Sequence, residues 1–199
     1  MTDSLQHLTQ VELLQLGLGA MRRDEDARAI VYLKEAADRA DVTARVLFLL
    51  GSLYAQIGLI DLAIEVMSRA VGLDAQFIVA RFQLGMLHLT SGQATAALAV
   101  WSPLAGLGED SPFCAWRQGL EYMIRDDFDA ALPLLRQGIT LNTENEALNA
   151  DIRRLIDRIE QHRLAGNAHG DLGTQPIVAV QDDGVSHLFL SIYNKGRAH

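Results

Sequence analysis

The stretch Leu50-Gly51-Ser52-Leu53-Tyr54-Ala55-Gln56-Ile57-Gly58, followed by Ala63 and Ala70, decides the fold. It predicts a helix, a tight turn at Gly58 and a second helix whose small residues let it approach the first closely. Key residues of this pattern return when the sequence is shifted by 34 positions. A fixed period of this length indicates helical hairpins that stack and bury a shared core. The recurring positions are Gly17, Gly51, Gly85 and Gly119, and Ala29, Ala63, Ala97 and Ala131.

These residues resemble the tetratricopeptide repeat family, whose unit is a helix–turn–helix of the same length. The stretch from Leu50 matches the family pattern best, and the other copies depart from it at single positions. His88 replaces the tyrosine in the third copy, and Asp126 stands at the turn of the fourth. In the first copy, Ala20 replaces the tyrosine and Asp24 stands at the turn. The resemblance implies an all-α fold, a right-handed superhelical solenoid of helix–turn–helix repeats.

Four repeats are expected within residues 8–143, followed by a capping helix at 144–165. The repeats are placed at about 10–41, 42–75, 76–109 and 110–143. Thr143 and Glu146 have the spacing of a capping box, so Thr143 is expected to cap the last helix. The apolar stripe of this helix includes Ile152 and Ile159. Its other faces are polar and carry Arg153, Arg154 and Arg158. We interpret it as a solubilising cap, with a dedicated partner helix as the alternative.

Proline positions predict where helices stop and start. Pro103 should kink or shorten its helix just after Trp101, because a proline lacks the amide that the helix needs. Ser111 followed by Pro112 is typical of a helix start. Pro133 is expected to bend its helix or delay its start.

Residues 166–199 are predicted to form a linker and a short β-hairpin or tail. Ile177–Val180 and Val185–Tyr193 have β-type patterns around an Asp-Gly turn signal. An isolated hairpin is marginal in water, so this one packs on the repeats, pairs with another chain or stays disordered. The alternative function of the protein is self-association, in which this tail docks in a groove or pairs with its copy across a homodimer. The tail residues that would mediate it are Leu188, Phe189, Leu190, Ile192 and Tyr193.

Composition favours a cytoplasmic protein that does not bind nucleic acid. The 199 residues carry a net charge of −8, which argues against nucleic-acid binding because that function needs a basic face. No apolar run reaches the ~18 residues of a membrane span, and the N-terminal residues lack the order of a signal peptide. The single cysteine, Cys114, excludes an internal disulfide framework.

In the tetratricopeptide repeat family, the first helix of each repeat lines a concave groove. Carried onto this sequence, that rule defines ten groove positions, most of them apolar. Such a groove would bind an apolar helical or extended segment of another protein, as a chaperone or assembly factor would. The alternative is that these side chains pack against neighbouring helices, since apolar stripes at helical spacing are often core. The groove positions are Leu14, Leu18, Phe48, Ser52, Phe82, Met86, Phe113, Trp116, Arg117 and Leu120.

The sequence offers no candidate for catalysis, a metal or a cofactor. None of the six histidines forms a ligand pair such as HExxH, and His88 and Cys114 are interpreted as packing residues.

Family members that read a terminal carboxylate place Lys and Asn where this chain has Leu14, Leu18 and Ser52, which argues against that role. Small acidic members with an apolar groove resemble type III secretion translocator chaperones, which usually carry three repeats and no β-tail.

Overall fold

The computed structural model describes residues 5–168, and all regular structure in that range is helical. The predicted all-α fold is therefore confirmed there, while the β-hairpin and its five self-association residues lie outside the described residues. No helix of this range is both long and apolar enough to span a bilayer. The helices are α1 (Gln10–Met21), α2 (Asp26–Ala37), α3 (Ala44–Gln56), α4 (Ile60–Leu73), α5 (Ile78–Thr90), α6 (Ala94–Trp101), α7 (Pro112–Ile124), α8 (Phe128–Leu141) and α9 (Glu146–Ala168), with a 3₁₀ helix at Ser102–Leu107.

The chain forms two compact units, the first ending at Leu84 and the second beginning at Gly85, within α5. In the first unit, α1 packs on α2, α3 packs on α4, and α2 joins the two pairs through α3. In the second unit, α7 packs on α8 and α8 packs on α9. The 3₁₀ helix and α6 also contact α7.

The recurring glycines mark the closest approach within each helical hairpin. A methyl group at Gly119 would lie 2.9 Å from Leu135, and one at Gly17 would lie 2.9 Å from Leu33. At Gly85 it would overlap the indole ring of Trp101. The residue that fills each site lies 16 positions after its glycine, and the recurring alanines are fully buried beside it. The 34-residue period therefore encodes one packing contact repeated in successive hairpins.

The turn position of each hairpin has a left-handed backbone. The φ angle is 78° at Gly58 and 74° at Gly92. It is 57° at Asp24 and 59° at Asp126, where the sequence lacks the glycine. All four residues share one position of the 34-residue frame, so the same turn is built with glycine or with aspartate, a side chain that tolerates this conformation.

Two of the three proline expectations are confirmed. Helix α6 ends at Trp101 and the chain continues as a 3₁₀ helix through Pro103. Helix α7 begins at Pro112 after Ser111. For Pro133 the expected delay is wrong, because α8 begins at Phe128 and includes Pro133, while the expected bend stays a prediction. The side chain of Asp127 accepts a hydrogen bond from the Ala130 amide at 3.1 Å and stabilises that start.

The cap of α9 corrects the prediction made for Thr143. Asn145 caps the helix, its side-chain oxygen accepting a hydrogen bond from the Leu148 amide at 3.0 Å. Asn142 and Asn149, both buried, hold the connection, with Asn142 Nδ2 donating to Asn149 Oδ1 at 2.8 Å. Asn149 Nδ2 donates to the Asn142 carbonyl at 2.9 Å. The helix therefore begins later than a Thr143 cap would place it.

The predicted apolar stripe of α9 is buried. Two ion pairs also join α9 to α8, Arg163 with Asp129 at 2.7 Å and Arg136 with Glu160. Both pairs are largely exposed, so they contribute little to stability and the apolar stripe dominates. The buried stripe residues are Leu148, Ile152, Leu155, Ile156 and Ile159.

Candidate protein-binding site

In the first unit, the groove positions are mostly buried. Phe48 is only 1% exposed, and its ring centroid lies 4.9 Å from that of Phe77. Ser52 is buried and donates its hydroxyl to the Phe48 carbonyl at 2.8 Å. Leu14 keeps part of its surface exposed. The groove positions with little exposed surface are Leu18, Phe48, Ser52 and Phe82 in this unit and Met86, Trp116 and Leu120 in the second.

Trp116 is part of the core of the α7–α8 hairpin. Its indole Nε1 donates to the Leu135 carbonyl at 3.3 Å. A methyl group at Gly138 would overlap the indole ring. Trp116 thus adopts the packing arrangement that the sequence left open as the alternative to a groove.

Phe113 and Arg117 keep partly exposed surface on α7. The Phe113 ring meets Trp116 edge-on, with centroids 5.5 Å apart. Arg117 forms an ion pair with Glu121 one turn further along the same helix. The buried Trp116 thus supports a partly exposed aromatic ring beside a charged pair.

Two arginines on α9 were not among the groove positions. Continuing the 34-residue frame maps Leu120 onto Arg154 and Ile124 onto Arg158. Arg154 donates to Asp151 at 2.6 Å, and the Asp151 side chain is only 1% exposed. The 34-residue frame could have identified both arginines as candidate groove positions. The sequence analysis instead interpreted them as part of the polar surface of a capping helix.

Arg158 is partly buried and makes no hydrogen bond or ion pair with any other described residue. Burial lowers the pKa of its guanidinium from the usual value, and the positive charge of Arg154 lowers it further. An arginine pKa is so high that the group stays charged at neutral pH. This part of α9 therefore carries two neighbouring positive charges, of which only Arg154 has a described partner.

The remaining polar candidates have local partners. His88 Nδ1 is hydrogen-bonded to Gln93 Oε1 at 2.8 Å. The buried Cys114 accepts a hydrogen bond from Gln118 at 3.7 Å. Within the described range, no group of three His, Cys, Asp or Glu side chains has the arrangement of a metal site.

A family model described as tetratricopeptide repeat matches residues 44–77, which begin with α3. No curated protein sequence matches the chain significantly. Among solved structures, a crystal structure of MamA is 22% identical, with 67% of this chain and 78% of that chain covered and a TM-score of 0.57. A second MamA structure is 20% identical, with 84% and 98% covered and a TM-score of 0.57.

A third solved structure is that of YrrB, described as a TPR protein with an unusual peptide-binding site. It is 19% identical, with 69% of this chain and 71% of that chain covered and a TM-score of 0.56. At these identities the likeness concerns the fold alone. The matched repeat at residues 44–77 and these likenesses show that the chain contains a tetratricopeptide repeat and shares the fold of the matched repeat structures.

Proposed function

We propose that the protein is a non-catalytic binding module in the cytoplasm that holds an apolar helical or extended segment of another protein. A chaperone or assembly factor would act in this way. The peptide-binding site named for YrrB supports the proposal, because that protein shares the fold. The partner would contact the groove positions that keep exposed surface, which are Leu14, Phe113 and Arg117. The buried groove positions would support these side chains from below.

The observation that carries the proposal is the partly exposed Phe113 ring against the buried Trp116. An aromatic side chain held by a rigid neighbour loses little conformational freedom when a partner covers it. Rigid aromatic residues of this kind are enriched among binding hot spots. Covering the remaining surface of Phe113 contributes at most the ~1.5–3 kcal/mol of a fully buried side chain, before the costs of association.

The test is a quantitative capture from native lysate with wild type and Phe113→Ser. Tyr122→Ser is the matched control, since Tyr122 is also an aromatic residue of α7 and is 37% exposed. Far-ultraviolet circular dichroism verifies that each variant remains helical. We expect Phe113→Ser to lose a specific partner that wild type and the control retain. Equal capture by all three proteins would contradict a site at Phe113.

The same capture separates the self-association alternative, which depends on residues outside the described range. A chain ending at Ala168 lacks the five tail residues named for self-association. Binding at the groove positions predicts that this chain still captures the partner. Loss of capture on removal of the tail, with Phe113→Ser unaffected, would favour the tail instead.

A further inference from the structure

We propose that Arg154 and Arg158 of α9 bind the side-chain carboxylate of an acidic residue in the partner segment. This inference rests on the proposed function and specifies the chemistry of the partner. The segment would then combine apolar side chains with an aspartate or glutamate.

The first support is the placement of the two arginines. Residues four apart on a helix are neighbours, with Cβ atoms about 5–6 Å apart, so Arg154 and Arg158 lie on one face of α9. Helices α7 and α9 both pack on α8 in the same unit. In the repeat frame, Arg154 corresponds to Leu120, a groove position of α7. The apolar frame positions of α7 are thus followed by basic ones in α9.

The second support is the electrostatic state of the pair. Like charges at this spacing repel each other and destabilise a helix. Arg154 is held by Asp151, but its side chain remains 48% exposed and retains donors for another acceptor. Arg158 has no described partner despite its partial burial. A carboxylate between the two guanidinium groups would satisfy free donors on both and relieve their repulsion.

A side-chain carboxylate is favoured over a terminal one. The family positions that hold a terminal carboxylate carry Leu14, Leu18 and Ser52 in this chain. These residues supply no positive charge, and Leu18 and Ser52 are also buried. Arg154 shares the frame position of Leu18 and Ser52, but it lies on α9 rather than on α1 or α3. The positive pair is therefore assigned to a carboxylate within the partner segment.

The probe is a random dodecapeptide library displayed with each peptide's C-terminus fused to a coat protein, so that no terminal carboxylate is present. Selection on the full wild-type chain is expected to enrich peptides that carry apolar residues together with Asp or Glu. Selection on Arg158→Gln is expected to lose the acidic preference. Arg153→Gln is the matched control on α9, because Arg153 already pairs with Glu146 at 2.6 Å.

A double-mutant cycle then measures the contact directly. Changing the acidic residue of a selected peptide to its amide should weaken binding to wild type and to Arg153→Gln by about tenfold. The same change should have little effect on binding to Arg158→Gln. Equal losses for all three proteins would overturn the arginine site.

The selection also separates this inference from the proposed function. Apolar peptides without an acidic preference would overturn the arginine site and leave apolar binding intact. Failure to select any peptide that binds the wild-type chain would contradict both proposals.

Discussion

Trp116 shows what a single residue can and cannot reveal from sequence. Its spacing from Phe48 and Phe82 predicts a groove position, but its indole packs on α8 over Gly138. Helical periodicity places a side chain on a face, whereas its depth depends on the size of the residue opposite. The glycine at 138, where the second repeat has Ala70, was the signal that α8 leaves room for a large ring.

The turn residues were predicted more completely. The frame aligned Asp24 and Asp126 with Gly58 and Gly92, and all four have positive φ. A left-handed backbone costs a residue with a Cβ roughly 1–2 kcal/mol relative to the right-handed one, although aspartate tolerates it better than most. The two aspartate turns are therefore strained positions in the repeat.

Replacing Asp126 with glycine is expected to stabilise the protein by about 0.5–1 kcal/mol. The change removes the left-handed strain, and the greater freedom of glycine in the unfolded chain offsets part of the gain. Urea unfolding followed by circular dichroism measures the difference. Gly92→Asp is the reverse control and should destabilise by a similar amount. A less stable Asp126→Gly variant would mean that the aspartate side chain contributes more than its backbone costs.

At the scale of elements, the ends of the helices were predicted correctly where a single residue type determines them. Helix α6 ended just before Pro103, and α7 began at Pro112 after Ser111, as expected. The predicted start of α9 was wrong because Thr143 and Asn145 are both residue types that commonly cap helices. The buried hydrogen bonds between Asn142 and Asn149 fix the connection so that Asn145 meets the Leu148 amide. Side-chain hydrogen bonds across the connection thus decided between two local capping signals.

Substitutions at the two candidate caps test that correction. Asn145→Ala should destabilise the protein by about 1 kcal/mol, because it removes the acceptor of the Leu148 amide. Thr143→Ala should change the free energy of unfolding by less than about 0.5 kcal/mol, since the residue is exposed and does not cap α9. Chemical denaturation of both variants provides the comparison. A larger loss at Thr143 than at Asn145 would restore the original capping box.

At the scale of the whole molecule, the repeat period predicted the architecture, but it did not predict which groove positions are accessible. Each repeat buries its apolar faces with help from neighbours, so exposure depends on contacts beyond one 34-residue unit. Leu14 and Phe113 retain exposed surface, whereas Phe48 and Trp116 do not. The accessible surface at the groove positions is accordingly smaller than the sequence suggested, and the site that we propose includes two arginines of α9 that the apolar pattern did not contain.

The interpretation of α9 as a cap gives a prediction for the stability of the repeats. A chain ending at Asn142 lacks α9 and should unfold at a lower temperature than a chain ending at Ala168. Five buried aliphatic side chains of α9 would be lost, each contributing about 1.5–3 kcal/mol before the entropy of ordering the helix. The apolar surface of α8 would also become exposed, and self-association should follow. Thermal unfolding and size-exclusion chromatography of the two chains measure both effects. Equal melting temperatures would show that α9 is dispensable for the fold, and would favour the alternative that it is a dedicated partner helix.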